Sequence, residues 1–214
     1  MVPDRRAVGP MLSLAVVAGS YVLIRCRVAE PIDRPARRLM ERGHGPRVDP
    51  VVAGLTDLGS IYGLSGIAAS LLLTGRRAAG RDVAAAGVVA WVVAQGVKPL
   101  LDRSRPYETG VARRLVASPA GSSWPSGHAA VVASTAAALA PRLTPAGRLA
   151  TVMGAALVGL SRLHVGVHHA TDVAAGFGVG TLSATAWRLL HGRWIARGSE
   201  LSGDEAPQPR PVRS

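Results

Sequence analysis

The sequence predicts an all-α fold, an integral-membrane bundle of about six transmembrane helices. Three observations predict it. Six apolar runs are separated by gaps that carry arginine. Apolar residues make up 48% of the 214 positions and charged residues only 18%, and the mean hydropathy is positive. The 24 Arg lie in the gaps and tails rather than along a stripe. A soluble helical bundle with buried helices is the alternative. The first two runs argue against it, because they approach the roughly 20 residues a membrane span needs.

The first run, Ala7 to Ile24, is bounded by Arg6 and Arg25. It has the layout of a signal peptide, but "LIRCRVAEP" follows it in place of a small-residue cleavage site, so a retained signal-anchor helix is expected. Residues 25–50 form a connector of mixed charge with four prolines, and a short interfacial helix is expected around Ala36 to Arg42. The second run, Val51 to Gly75, carries Asp57 near its start, read as a helix-end or connector carboxylate. Runs three to six are Val83 to Val97, Ala129 to Pro141, Leu149 to Leu160 and Val173 to Trp187. The last four are short between charges. They reach spanning length only if His128, Arg162 and Asp172 belong to helices that end in a polar pocket, and ionisable residues inside a membrane are functional candidates by default. The small-residue runs "AGVVA" and "STAAALA" read as close helix packing. Residues 1–197 form one membrane domain, and 198–214, "GSELSGDEAPQPRPVRS", read as a disordered tail.

Composition also narrows function. A net charge of +12 raises nucleic-acid binding, but scattered arginines and eight aromatic residues give no stacking platform. The positive charge is read as membrane-flanking arginine facing anionic headgroups, with no nucleic-acid partner. Cys26 is the only cysteine, so no intramolecular disulfide forms. Counting six spans puts 12 basic residues on one side and 13 on the other, which leaves orientation undecided by charge. The same count puts the loop after run three and the loop after run five on one side.

Those two loops hold the unusual residues. The first opens with "KPLLDRSRP", in which Lys98 is the only lysine of the chain and Arg105 precedes Pro106, and it closes with "PSGH", Pro125 to His128. The second is "SRLHVGVHHATD", with Ser161, Arg162, His168 and Asp172. Three cations, Lys98, Arg105 and Arg162, with donors from Ser126 and Gly127, suit a tetrahedral oxyanion. Glycine lets backbone approach the anion, and a helix starting near His128 aims N–H groups at it. Phosphoryl transfer then needs a nucleophile and a proton for the leaving group. A neutral imidazole serves as the first, a carboxylate on its other nitrogen fixes the tautomer, and a second histidine serves as the acid. No metal or other cofactor is required.

The pattern Lys-x6-Arg-Pro, Pro-Ser-Gly-His and Ser-Arg-x5-His-x3-Asp resembles the type 2 phosphatidic acid phosphatase superfamily, which includes bacterial acid phosphatases and vanadium haloperoxidases. The three blocks are intact and span Lys98 to Asp172, about a third of the chain. The resemblance implies His168 as nucleophile, Asp172 as its partner and His128 as general acid. It implies Lys98, Arg105, Ser126, Gly127 and Arg162 as the phosphate cradle, an acid phosphatase/haloperoxidase-like helical core, and a site on the extracytoplasmic face. Six spans resemble the integral-membrane lipid phosphatase branch, with a polyprenyl pyrophosphate, phosphatidate or phosphatidylglycerol phosphate as substrate and a carrier-lipid role as the leading expectation. In this family an aromatic residue and a proline often follow the nucleophile. Here His169 and Ala170 stand there, which touches headgroup preference rather than chemistry.

Other readings fit these residues less well. A vanadate-dependent haloperoxidase uses the same cradle but is soluble. A non-catalytic lipid-phosphate binder needs a lost catalytic residue, and none is missing. His164, His168 and His169 with Asp172 have the look of a metal set, but Gly166 and a cap at Thr171 make that segment a loop. His164 and His169 are read as lining the site, His44 and His191 as ordinary interfacial residues, and Asp102 and Arg103 as a pair.

Overall fold

The computed structural model describes residues 5–202. Among the described residues, eight α-helices run in the order α1 Arg5–Arg25, α2 Glu30–Glu41, α3 Val48–Thr56, α4 Ile61–Leu73, α5 Arg77–Gly96, α6 Gly127–Leu139, α7 Pro145–His164 and α8 Ala170–Ser202. Short 3-10 turns lie at Asp57–Gly59, Lys98–Leu100 and Ala140–Arg142. Among the described residues there is no strand. The chain is an all-helical membrane bundle. Leu12, Val51, Tyr62, Leu73 and Leu149 point outward, as expected where lipid replaces water around the helices.

α6 is the axis of the bundle, packed against α5, α7 and α8, while α1 lies on α8 and α4 on α5. Its inner surface is small: Ala129, Ala130, Ala133 and Ala138 are buried, as are Ala86, Ala90 and Ala94 of α5. Between helices in lipid there is little hydrophobic driving force, so van der Waals contact at short range does the holding. Gly176 and Gly180, one turn apart on α8, lie directly on α6. A Cβ at Gly176 would meet the Ser126 carbonyl, and one at Gly180 the Ala130 carbonyl. At the end of the bundle away from the two site loops, Asp82 of α5 accepts from Arg142 at 2.5 Å and from the Trp187 indole at 3.0 Å. His191 stacks on Trp187 with ring centroids 5.3 Å apart.

Among the described residues, two helical stretches, Val8–Arg25 and Arg77–Leu100, are long and apolar enough to cross a membrane. Run two, expected as one span, is a bent pair, with Val48–Gly59 and Ile61–Leu73 meeting at 65°. The cause is local. Ser60 is extended (φ −77°, ψ 168°) and caps α4 by accepting from Gly63 N, while its hydroxyl donates to the Asp57 carbonyl at 2.6 Å. Asp57 ends α3, as expected of it. The remaining three runs form α6, α7 and α8, with polar residues at their site-facing ends.

Two boundaries differ from expectation. The connector helix covers Glu30–Glu41 rather than residues 36–42. Pro31 in its first turn needs no partner for a missing N–H, and Glu30 and Asp33 favour a helix start. α8 continues to Ser202, through residues 198–202 assigned to the tail, because propagating an existing helix costs little. The rest of the tail, 203–214, lies outside the described residues.

Candidate active site

Two loops meet at one end of the bundle. Residues 101–126 join α5 to α6, and 165–169 join α7 to α8. They are tied together by backbone bonds from Tyr107 N to the Gly166 carbonyl and from Leu115 N to the Val165 carbonyl. Gly166 has φ +74°, and a Cβ there would run into the Arg113 carbonyl. The tie therefore requires glycine on both counts.

The loops close over a cavity of about 230 Å³ lined by Lys98, Arg105, Gly127, His128, Arg162 and His168, with Gly59 and Ser60 from the bend of run two. The shared side of the two loops, read from span counting, is thus the wall of one cavity. No carboxylate is among its lining residues. Three cations and two imidazoles facing one another without a counter-charge form a site for an anion.

Each cation is held by neutral acceptors. Arg105 is fully buried. Its guanidinium donates to the Val167 carbonyl at 2.9 Å and to the carbonyls of Ala120, Gly121 and Ser122 at 3.1–3.2 Å. Lys98 Nζ donates to the Ser122 carbonyl at 2.7 Å, and Arg162 donates to Thr56 Oγ1 at 2.7 Å. Carbonyls and a hydroxyl fix the side chains in place of a directly contacting carboxylate. Nε of Arg105 and of Arg162 are buried without a protein partner, and an unmet buried donor calls for a ligand.

Ser126 stands apart from this wall. It is buried, its Oγ caps α6 by accepting from Ala129 N, and its own N–H donates to the Asp172 carbonyl. Gly127, the first residue of α6, is the part of the pair that reaches the cavity, with the helix N-terminus behind it.

His168 lies in the loop, just before α8, not on a shared helical turn with Asp172. Its Nδ1 is 3.7 Å from Asp172 Oδ2, too long for a hydrogen bond, and Nδ1 has no other partner among the described residues. Burial pushes the His168 imidazole well below 6.5, Asp172 opposes that shift, and Arg162 adds to it. The ring is therefore neutral.

Asp172 spends its oxygens elsewhere. Oδ2 accepts from Ser123 Oγ at 2.5 Å and from His169 N at 2.8 Å, and Oδ1 accepts from Arg103. Arg103 was expected to pair with Asp102. It instead bridges Asp172 to Asp33 of α2, with Nη2 at 2.5 Å from Asp33 Oδ2. Asp33 also accepts from Thr171 N and Oγ1 at 2.9 and 3.0 Å. Sequence reasoning missed Asp33, Ser123 and Thr171. The one available signal was an aspartate within an otherwise exposed amphipathic helix.

The metal set of His164, His168, His169 and Asp172, set aside on the sequence, is not brought together among the described residues. His164 turns away to Asp49, at 2.9 Å from its Oδ1, and His169 Nε2 lies 3.3 Å from the Ser104 carbonyl. His44, read as an ordinary interfacial residue, lies against His164 with ring centroids 4.3 Å apart and the rings tilted by 35°.

The family model described as PAP2 superfamily matches residues 79–196. Among solved structures, the chain is similar to LpxE from Aquifex aeolicus, at 22% identity and a TM-score of 0.66 over 74% of this chain and 95% of that one. It is also similar to a transmembrane PAP2-type phosphatidylglycerolphosphate phosphatase from Bacillus subtilis, at 22% identity and a TM-score of 0.68 over 86% of this chain and 96% of that one. With more than half of its length matched, and with Lys98, the PSGH turn and Asp172 all inside the matched stretch, the chain belongs to the PAP2 superfamily.

Proposed function

We propose that this membrane protein is a phosphatase that hydrolyses a lipid phosphate monoester or pyrophosphate through a phosphohistidine on His168, without metal. The observation that carries the reading is the cavity itself: Lys98, Arg105 and Arg162 around His128 and His168, with no carboxylate in the wall. A phosphate there would answer the unmet Nε donors of Arg105 and Arg162. The lipid reading rests on the cavity's flank, where Ile61, Tyr62 and Trp91 of α4 and α5 line it and Tyr62 is 85% exposed on the outer surface. A phosphate head can sit among the cations while its chain leaves between these helices.

The chemistry follows from the placement. Nδ1 of His168 is turned to Asp172, so Nε2 is the nucleophile. Neutral Nε2 attacks phosphorus, the bond to the leaving oxygen breaks, and His128, which enters the step as the imidazolium, gives that oxygen its proton. Positive charge developing on His168 draws Nδ1–H toward Asp172. Water then attacks the phosphohistidine, His128 takes its proton, and inorganic phosphate leaves with both histidines restored. The cations stabilise the transferring phosphoryl oxygens in both steps. The substrates favoured by this reading are a polyprenyl pyrophosphate, phosphatidate and phosphatidylglycerol phosphate, with the site on the extracytoplasmic face.

Phosphate release in detergent with EDTA, from those three lipids, tests the proposal. Release by the native protein and at least a ~10³-fold loss in His168→Ala are expected, since removal of a covalent nucleophile leaves only binding and charge stabilisation. Undiminished release by His168→Ala would sink the mechanism.

A further inference from the structure

His44, Asp49 and His164 come from three separate segments and meet outside the phosphate cavity, which none of them lines. His44 sits in the turn between α2 and α3, Asp49 in the first turn of α3, and His164 at the last position of α7. His44 Nδ1 is 3.0 Å and His164 Nε2 2.9 Å from the same oxygen, Asp49 Oδ1. One ligand atom from each of the three residues lies within 4.8 Å of the other two, so the N–N edge closes as the metal binds. We propose that these three side chains bind one divalent transition-metal cation, zinc first, as a staple between the α2–α3 turn and the end of α7.

The donor set chooses the class of ion. Two imidazoles and one carboxylate suit zinc and its neighbours, whereas magnesium and calcium take oxygen. In a tetrahedral zinc site with bonds of about 2.0–2.1 Å, donor atoms stand about 3.3 Å apart. The two N–O edges need to open by only a few tenths of an ångström. The side chains are 22%, 15% and 7% exposed for His44, Asp49 and His164, which leaves a fourth position open to water. Gly45 N donates to the ligating oxygen at 3.2 Å and orients the carboxylate from behind. The neighbouring cation is Arg113, 3.8 Å from the other Asp49 oxygen and 73% exposed, free to swing into solvent when a metal arrives. Without metal, Asp49 Oδ1 takes an N–H from each ring. With metal, each neutral ring presents its lone pair there and carries its proton on the other nitrogen.

The staple acts on position, not on chemistry. His164 follows Arg162 by two residues and opens the loop that carries His168.

The tag-free, full-length protein in detergent is stripped with chelator, exchanged into clean buffer and titrated with Co²⁺, then Zn²⁺. One Co²⁺ per chain with the intense visible absorption of a tetrahedral site, displaced by one Zn²⁺ that raises Tm, is expected. His44→Ala and Asp49→Asn should each weaken binding by at least about 100-fold, and His168→Ala should bind as the native protein does. Absent or non-stoichiometric uptake, a weak octahedral spectrum, or native affinity in both ligand variants would overturn the site. Should Asp49→Asn not fold, the native spectrum and His44→Ala, altered in a surface turn, decide between the same outcomes.

Discussion

Arg103 lies between two fully buried carboxylates, Asp33 and Asp172, and is itself only 12% exposed. Replacing it with alanine leaves both anions without their cation. Breaking a buried pair by removing one partner costs about 3–5 kcal/mol, and Ser123, Thr171 and His169 N soften the loss by continuing to donate. For a chain of this size about 3–5 kcal/mol lowers Tm by roughly 6–20 °C. Arg103→Lys keeps the charge but reaches only one carboxylate, so a smaller fall, about 1.5–3 kcal/mol, is expected from one lost charged hydrogen bond. Thermal unfolding in detergent, followed by tryptophan fluorescence, reads the stability. Phosphate release at saturating and limiting substrate reads the site. If the bridge positions Asp172 for His168, kcat falls with KM nearly unchanged, and lysine restores part of it. A Tm within 1–2 °C of native together with native kcat in Arg103→Ala would refute both the ledger and the positioning role. Asp33→Asn combined with Arg103→Ala should cost less than the two single losses added together, because both act on one contact.

Three further outcomes follow from the same structure. Gly180→Val drives its side chain into the Ala130 carbonyl, so separation of α8 from α6 should cost about 1–3 kcal/mol; unchanged Tm would show that the helices are not in backbone contact there. His168 has a folded-state pKa below its ordinary 6.5, so below pH 6.5 the unfolded chain binds its proton first and stability rises with pH in that window. His168→Asn, which cannot titrate, should therefore lose less Tm than the native protein between pH 7 and pH 5, and an identical loss would contradict a buried neutral ring. Cys26 is exposed just after α1, and the next helix, α2, carries Asp33 into the site network. A membrane-impermeant maleimide should label it in intact cells if the site faces outward, whereas labelling only after lysis would place the site inside.

Much of this protein was written in local sequence. The apolar runs dictated helices, because only a helix satisfies its own backbone in a bilayer. The three blocks held Lys98, Arg105, Gly127, His128, Arg162 and His168, which line one cavity in the structure. Span counting even put their loops on one side. The bend in run two was half legible, in Asp57 and the capping Ser60. What the tertiary structure alone decided are the partners of side chains far apart in sequence. Arg103 passed over its neighbour Asp102 for Asp33 and Asp172, because burial makes an unpaired carboxylate costly and the chain brings α2 under α8. His164 left the other histidines for Asp49 and His44. Ser126 turned to cap α6 while Gly127 faced the cavity. A sequence fixes which groups are present and which turn of helix each occupies. Only packing fixes which buried charges must answer one another.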